Sequence, residues 1–324
     1  MHVLNRRRFL AISAAAAGTF RFAHAAQAET TRHWLGTALG ARASIRLHHP
    51  EADRIIKAVR FEIERLEQIF SLYRSNSELS QLNRDGRLVH PSFEMVELLS
   101  LCGTVHAATL GAFDPTIQSL WSTYAEHHSK GQAPQAASVN AALEKVGWSN
   151  ITVSPERIEF KKAGMAITLN GIAQGYIADK VASLLRSRGL DNILVDTGEL
   201  YALGAMPKGS EWTVELRSTS SPVPVRRVRL ADAAIATSEP LGTAFDAAGR
   251  VGHIIDPRTG YPAKNTLSMI SVRAPTAARA DAYSTAMCLL SADEIAAITA
   301  SQKDLHVIVT DLQLNTERQT SNKT

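Results

Sequence analysis

Apolar positions in the first third of the chain recur with a helical period. Over residues 51–73, Ile55, Ile56, Val59, Ile63, Leu66, Ile69 and Phe70 fall mostly three or four apart with charges between them, which predicts a helix that buries one face. Residues 92–109 repeat the pattern with Val96, Leu98, Leu99, Val105 and Ala108. Ahead of both, residues 34–47 read as a strand pair, with Gly36 and Gly40 placed where a turn could fall. Residues 129–138 are rich in Gln, Ala, Pro and Ser and low in bulky side chains, which predicts a surface loop.

Beyond that loop the period changes. Short apolar runs at 151–153, 158–160 and 166–169, punctuated by Pro and Gly, predict strands. A helix is expected over 172–188, closed by Gly189 as its C-cap. Further strands are expected at 193–196, 212–216, 225–230, 234–237, 253–255, 268–273 and 306–310, with helices at 278–290 and 292–301. Strand and helix neither alternate regularly nor separate into blocks, so the order predicts an α+β fold and not a doubly wound sheet.

Charge is informative only at the amino end. Arg6, Arg7, Arg8 and Arg21, with no acid among residues 1–25, account for the whole excess of basic over acidic residues, 35 against 31. The balanced remainder gives no indication of a nucleic acid partner. Arg6-Arg7-Arg8-Phe9-Leu10, a short apolar run and Ala23-His24-Ala25 read as a signal peptide of twin-arginine type, which predicts a periplasmic protein starting near Ala26. No window holds the roughly 18 consecutive apolar residues of a membrane-spanning helix. Cys102 and Cys288 sit in apolar contexts and are expected as buried thiols. One domain is expected over 30–315, followed by a polar, frayed tail over 316–324.

Three segments carry chemistry. Asn170-Gly171-Ile172-Ala173-Gln174-Gly175-Tyr176 follows an apolar run and opens a helix, so backbone N–H groups and the helix dipole could face an anion. A tight strand–helix turn would explain the same glycines. His253-Ile254-Ile255-Asp256-Pro257-Arg258-Thr259-Gly260 presents an imidazole, an acid and a guanidinium on one rigid turn, although Asp256 could simply cap it. In 279–287, Asp281 and Thr285 stand one helical turn apart, an oxygen pair suited to a hard cation or, more blandly, a cap and a surface hydroxyl.

In this order and at these intervals, the three segments resemble the ApbE-type FAD:protein FMN transferases. His253 to Gly260 matches that family's His-Ile-Ile-Asp-Pro-Arg-Thr-Gly in full, and Ala280, Asp281, Thr285 and Ala286 match its Ala-Asp-x-x-x-Thr-Ala. Residues 170–176 stand in place of Gly-Gly-Ile-Ala-Lys-Gly-Tyr. Upstream, Phe70-Ser71-Leu72-Tyr73-Arg74, Ser77-Glu78-Leu79, Leu82-Asn83 and Gly111-Ala112-Phe113-Asp114-Pro115-Thr116 look like further family segments.

The resemblance implies largely antiparallel, mixed sheets with packed helices and a FAD cleft between two halves. It implies Mg²⁺ held by the Ala173 carbonyl, Asp281 and Thr285. FAD, as substrate, would touch Leu35, Tyr73, Ala112, Phe113, Asp114, Gly171, Gln174, Gly175, Ser238, His253 and Thr259. The expected reaction moves FMN onto a Thr or Ser of an acceptor protein with an Asp-Ser/Thr-Gly-Ala-Ser/Thr-like motif, releasing AMP. Either His253 or Asp256 would take the hydroxyl proton, with Asp256 expected to matter more.

Three departures bear on activity. Asn170 and Gln174 replace Gly and Lys, Thr197-Gly198-Glu199 stands for Gly-Gly-Asp, and Ser238-Glu239-Pro240 follows Ala236-Thr237 where Ser-Gly-Asp is usual. They leave open an exported FAD-binding protein without transfer, or a metal-dependent FAD pyrophosphatase.

Overall fold

The computed structural model describes residues 32–47, 49–206, 209–218, 226–263, 267–311 and 316–320. The expected signal peptide over 1–25 lies outside them. The strands in chain order are β1 (Arg32–Ala38), β2 (Ala41–Leu47), β3 (Arg87–Val89), β4 (Ile151–Val153), β5 (Arg157–Phe160), β6 (Ile193–Asp196) and β7 (Leu200–Leu203). They continue with β8 (Trp212–Leu216), β9 (Arg226–Leu230), β10 (Ala233–Ser238), β11 (Met269–Ala274), β12 (His306–Asp311) and β13 (Thr316–Thr320). The helices are α1 (Ala52–Phe70), α2 (Glu78–Asp85), α3 (Phe93–Ala108), α4 (Gln118–Ser129), α5 (Ala136–Leu143), α6 (Ala173–Arg186), α7 (Ala277–Met287) and α8 (Ala292–Ser301).

Eight strands form one sheet in the order β1-β2-β6-β7-β10-β11-β12-β13, every neighbouring pair antiparallel. A three-stranded sheet β3-β5-β4 and the hairpin β8–β9 complete the α+β fold. The central strands β6, β7, β10 and β11 are buried at nearly every position, because the middle of the sheet is covered on both faces. Alternate residues sort accordingly: Ile193, Val195, Ala234, Ala236, Ile270 and Val272 join the core with α1, α6 and α7. Leu194, Leu200, Ala202, Ile235 and Met269 pack instead with Val214, Leu216 and Leu230 of the hairpin. A third cluster joins α4 and α5 to Phe245 and Ile255, seating the turn at 253–260 against these helices.

Four expectations are corrected. Residues 166–169 pair with no strand, because the Ile167 amide and carbonyl bond the Asn83 side chain, each at 2.8 Å, and the Thr168 amide bonds the Pro115 carbonyl. Residues 253–255 contribute only an isolated bridge, Ile255 to Pro262, within a turn-rich excursion. The expected tail is a strand at 316–320: antiparallel pairing with β12 gives its backbone N–H and C=O groups partners that composition alone did not suggest. The helix α5 also begins inside the expected loop at 129–138.

The C-terminus of α6 follows expectation. Gly189 takes φ +75°, and the amides of Gly189 and Leu190 bond back to the carbonyls of Arg186 and Leu185. At its other end α6 crosses α7 closely. Asp179 accepts the Ala277 and Ala278 amides at 2.7 and 2.9 Å, capping α7. A Cβ on Gly175 would lie 2.2 Å from the Ala277 carbonyl oxygen. Gly175→Ala is therefore expected to cost about 1–3 kcal/mol of stability, read as a lower urea midpoint. An unchanged midpoint would show that the two helices separate freely.

Candidate functional site

Four loops and one helix face meet in a cleft that encloses about 1250 Å³ of space, open solvent at its mouth included. The segment 112–118 ahead of α4 forms one wall, and the segment 168–174 entering α6 forms the floor. The end of β10, the turn at 253–257 and α7 close the other side. Of the residues named from the sequence, Ala112, Phe113, Asp114, Gly171, Gln174, Ser238, His253, Asp281 and Thr285 all line this space.

The others do not reach it. Leu35 is 55% exposed and lines a separate groove beside Phe61 on α1, while Leu39, one β-turn later, takes a place in the cleft. Tyr73 is half-buried in the turn after α1, where its amide bonds the Ser71 hydroxyl at 3.1 Å. Thr259 is exposed, and its hydroxyl accepts the Tyr261 amide at 3.4 Å. Gly175 is explained by the approach of α7 and not by a ligand. Ala173 is buried at the first position of α6, directly behind the cleft floor formed by Gly171 and Gln174.

The turn at 253–260 separates its two candidate bases. Both Asp256 carboxylate oxygens are engaged by Arg258, through its backbone amide at 2.9 Å, Nε at 2.9 Å and a terminal nitrogen at 2.8 Å. The same guanidinium donates to the Leu289 carbonyl at the end of α7, so the pair ties the turn to that helix. Asp256 does not line the cleft. His253 does. Its Nδ1 lies 3.0 Å from the Thr243 carbonyl, which can only accept, so Nδ1 carries the proton and Nε2 keeps its lone pair. Burial holds the imidazole below its ordinary value of 6.5, hence neutral at pH 7.

The opposite wall is rich in oxygen. Asp281 accepts the Gly175 amide at 3.3 Å, and burial pushes its carboxyl up to about 8. Thr285 Oγ1 lies 3.4 Å from Ser238 Oγ, which also meets Ser284 Oγ at 2.8 Å. A Cβ on Gly171 would sit 3.1 Å from Thr285 Oγ1, so this glycine permits the floor to approach α7. Sequence reasoning missed Glu199, which is buried on the cleft wall and pushed well up by burial and by the charge of Asp281. Its signal was present: Thr197-Gly198-Glu199 keeps a carboxylate where the resembling family has Gly-Gly-Asp.

Positive charge is what the cleft lacks. Its described lining holds Asp114, Glu199, Glu239 and Asp281 but neither Lys nor Arg. Asp114 is used structurally, accepting the Thr116 amide and hydroxyl and the Trp148 amide. The expected anion cradle at 170–176 is also partly consumed. The Ile172 and Ala173 amides bond the Leu169 carbonyl, and the Gly175 amide bonds Asp281. Among the described residues no three His, Cys, Asp or Glu side chains form a metal cluster. A carboxylate, a hydroxyl and a carbonyl form the kind of set that Mg²⁺ accepts when phosphate oxygens complete it.

Comparison with known proteins identifies the family and the fold. A model of the ApbE family matches residues 39–309. The FAD:protein FMN transferase of Treponema pallidum is 27% identical over 289 residues, covering 82% of this chain and 79% of the relative. That of Vibrio cholerae is 28% identical over 298 residues, covering 86% and 87%. The fold is similar to the solved flavin transferase ApbE from Vibrio cholerae, with a TM-score of 0.79 at 22% identity over 90% of this chain and 97% of that one. The apbe protein from Thermotoga maritima gives 0.81 at 23% identity with the same coverage.

Proposed function

The chain belongs to the ApbE family, and we propose that it transfers the FMN half of FAD to a Thr or Ser hydroxyl of an acceptor protein, releasing AMP, with Mg²⁺ bound. The observation that carries this reading is one cleft with a neutral imidazole on one wall and buried ligand oxygens on another. Relatives matched over most of their length carry the name of this transferase.

Asp281 and Thr285, which line the cleft, would hold the cation, and the family resemblance adds the carbonyl of Ala173, whose residue is not part of the lining. Their fit is supported by the buried Asp281 carboxylate, which has no cationic side chain among the described lining residues. When bound, Mg²⁺ neutralises diphosphate charge that this wall otherwise repels. Gly171 and Gln174 shape the floor beneath the diphosphate, and Ala112 and Phe113 offer apolar surface to a ring system. The acceptor oxygen forms a bond to the FMN phosphorus as the bond from that phosphorus to the bridging oxygen breaks. His253 Nε2 takes the hydroxyl proton, and AMP leaves with the bridging oxygen. Phosphoryl transfer of this kind depends on positioning and charge neutralisation.

Incubation with FAD, Mg²⁺ and a peptide bearing the Asp-Ser/Thr-Gly-Ala-Ser/Thr motif should give covalently flavinylated peptide and AMP in equal amounts. Free FMN and AMP with unlabelled peptide would assign hydrolysis instead, and unchanged FAD would assign binding alone. We also propose export through the twin-arginine route, on the strength of Arg6 and Arg7. Replacing both by Lys should abolish periplasmic accumulation, and normal accumulation would reject that route.

A further inference from the structure

The cleft contains a buried carboxylate that the fold leaves half unused. Glu199 stands just ahead of β7, is 6% exposed and lines the cleft together with Asp281 and Thr285. The Thr237 backbone amide favours its charged form, yet Oε2 has no hydrogen-bonding partner. A buried acceptor without a partner costs about 1–3 kcal/mol, and more when it carries charge.

The acids that serve structure look different. Asp179 takes two amides at the head of α7, one on each oxygen. Asp114 likewise engages both oxygens, with Thr116 on one and Trp148 on the other. Glu199 has an open oxygen on a wall it shares with Asp281, and no described Lys or Arg lines the cleft to balance either. Two unbalanced buried carboxylates are stable together only with a cation or a proton between them.

We propose that Glu199 Oε2 is a direct ligand of the divalent cation, beside Asp281 and Thr285, so that this protein holds the metal with two carboxylates. The proposal rests on the cation reading given above. It accounts for a cleft whose described lining holds neither Lys nor Arg, because a more tightly held cation supplies the missing positive charge. Affinity for hard cations rises with the number of charged oxygen ligands, so the metal should bind before FAD arrives and not only with it.

Mn²⁺ serves as the probe, titrated by electron paramagnetic resonance into FAD-free wild type, Glu199→Gln, Glu199→Asp and Asp281→Asn. Wild type should bind one Mn²⁺, Glu199→Gln at least about 10-fold more weakly, the least that losing even an outer-shell partner costs, and Glu199→Asp with intermediate affinity. Equal affinity in wild type and Glu199→Gln overturns the proposal. Should the variants not fold, Mn²⁺-soaked wild-type crystals decide by anomalous scattering. A Mn²⁺ bonded to both carboxylates supports the proposal, and one bonded to Asp281 but not to Glu199 overturns it while leaving the cation reading intact. Absence of bound Mn²⁺ with and without FAD would overturn the cation reading itself.

Discussion

His253→Asn is expected to slow FMN transfer at saturating FAD by about 10²–10⁴-fold, the usual worth of a positioned base, with FAD affinity little changed. Asn is the informative replacement because its amide nitrogen can replace Nδ1 as donor to the Thr243 carbonyl, while nothing replaces the Nε2 lone pair. A role in shaping the turn would survive this change, and a role as base would not. The pH profile gives a second readout. Burial lowers the pKa of His253, so the neutral, proton-accepting form persists below pH 6.5 and transfer fails only at more acid pH as the imidazole protonates. That acid limb should disappear in the slow residual activity of His253→Asn. Asp256→Asn, by contrast, breaks the two-point contact with the Arg258 guanidinium and should lower stability while most transfer remains. Wild-type transfer rates in His253→Asn would remove the imidazole from the mechanism.

The same turn shows how far the sequence could be read. His253-Ile254-Ile255-Asp256-Pro257-Arg258-Thr259-Gly260 announces a chemical turn, but residue types alone do not say which side chain faces the cleft. That depends on Arg258, which reaches both Asp256 and the Leu289 carbonyl and turns the acid away from the cavity. The helices α1 and α3 were legible because their apolar residues recur at helical spacing, and α6 because Gly189 marks its end. The strand-like run at 166–169 was misread because an Asn83 side chain, 84 residues distant, supplies the hydrogen bonds a strand partner would have made. Gly175 was legible as a close approach, but not as the approach of α7 rather than of a ligand. Glu199 illustrates the converse: it was visible only as a departure from a motif, and its importance depends on burial and an unpartnered oxygen.

Asp281→Asn should reduce Mg²⁺-dependent transfer by about 10³-fold or more, since the charge stabilisation supplied by a bound metal is worth several kcal/mol. Asn keeps the size of the side chain and an oxygen for the Gly175 amide, so α6 and α7 should remain packed. Only the charge is lost. The metal-free proteins should then diverge with pH in a direction that excludes a purely structural explanation. The Asp281 carboxyl is raised by burial to about 8 in the folded protein, above its ordinary value of 3.8. Its contribution to stability is therefore complete below about pH 4 and is lost as pH rises through about 8, where folding must bury the charge. Asp281→Asn carries no such charge, so without metal it should melt above wild type at pH 8 and beside it at pH 4. Mg²⁺ at a fixed, sub-saturating concentration for the variant should raise the wild type at pH 8 more than the variant, because the variant has lost one of the charged oxygens offered to the ion. A helix-capping role predicts the reverse, a loss of about 1 kcal/mol in the variant with turnover preserved. Equal transfer by the two proteins at saturating Mg²⁺, together with equal Mg²⁺ stabilisation, would exclude Asp281 from the metal site.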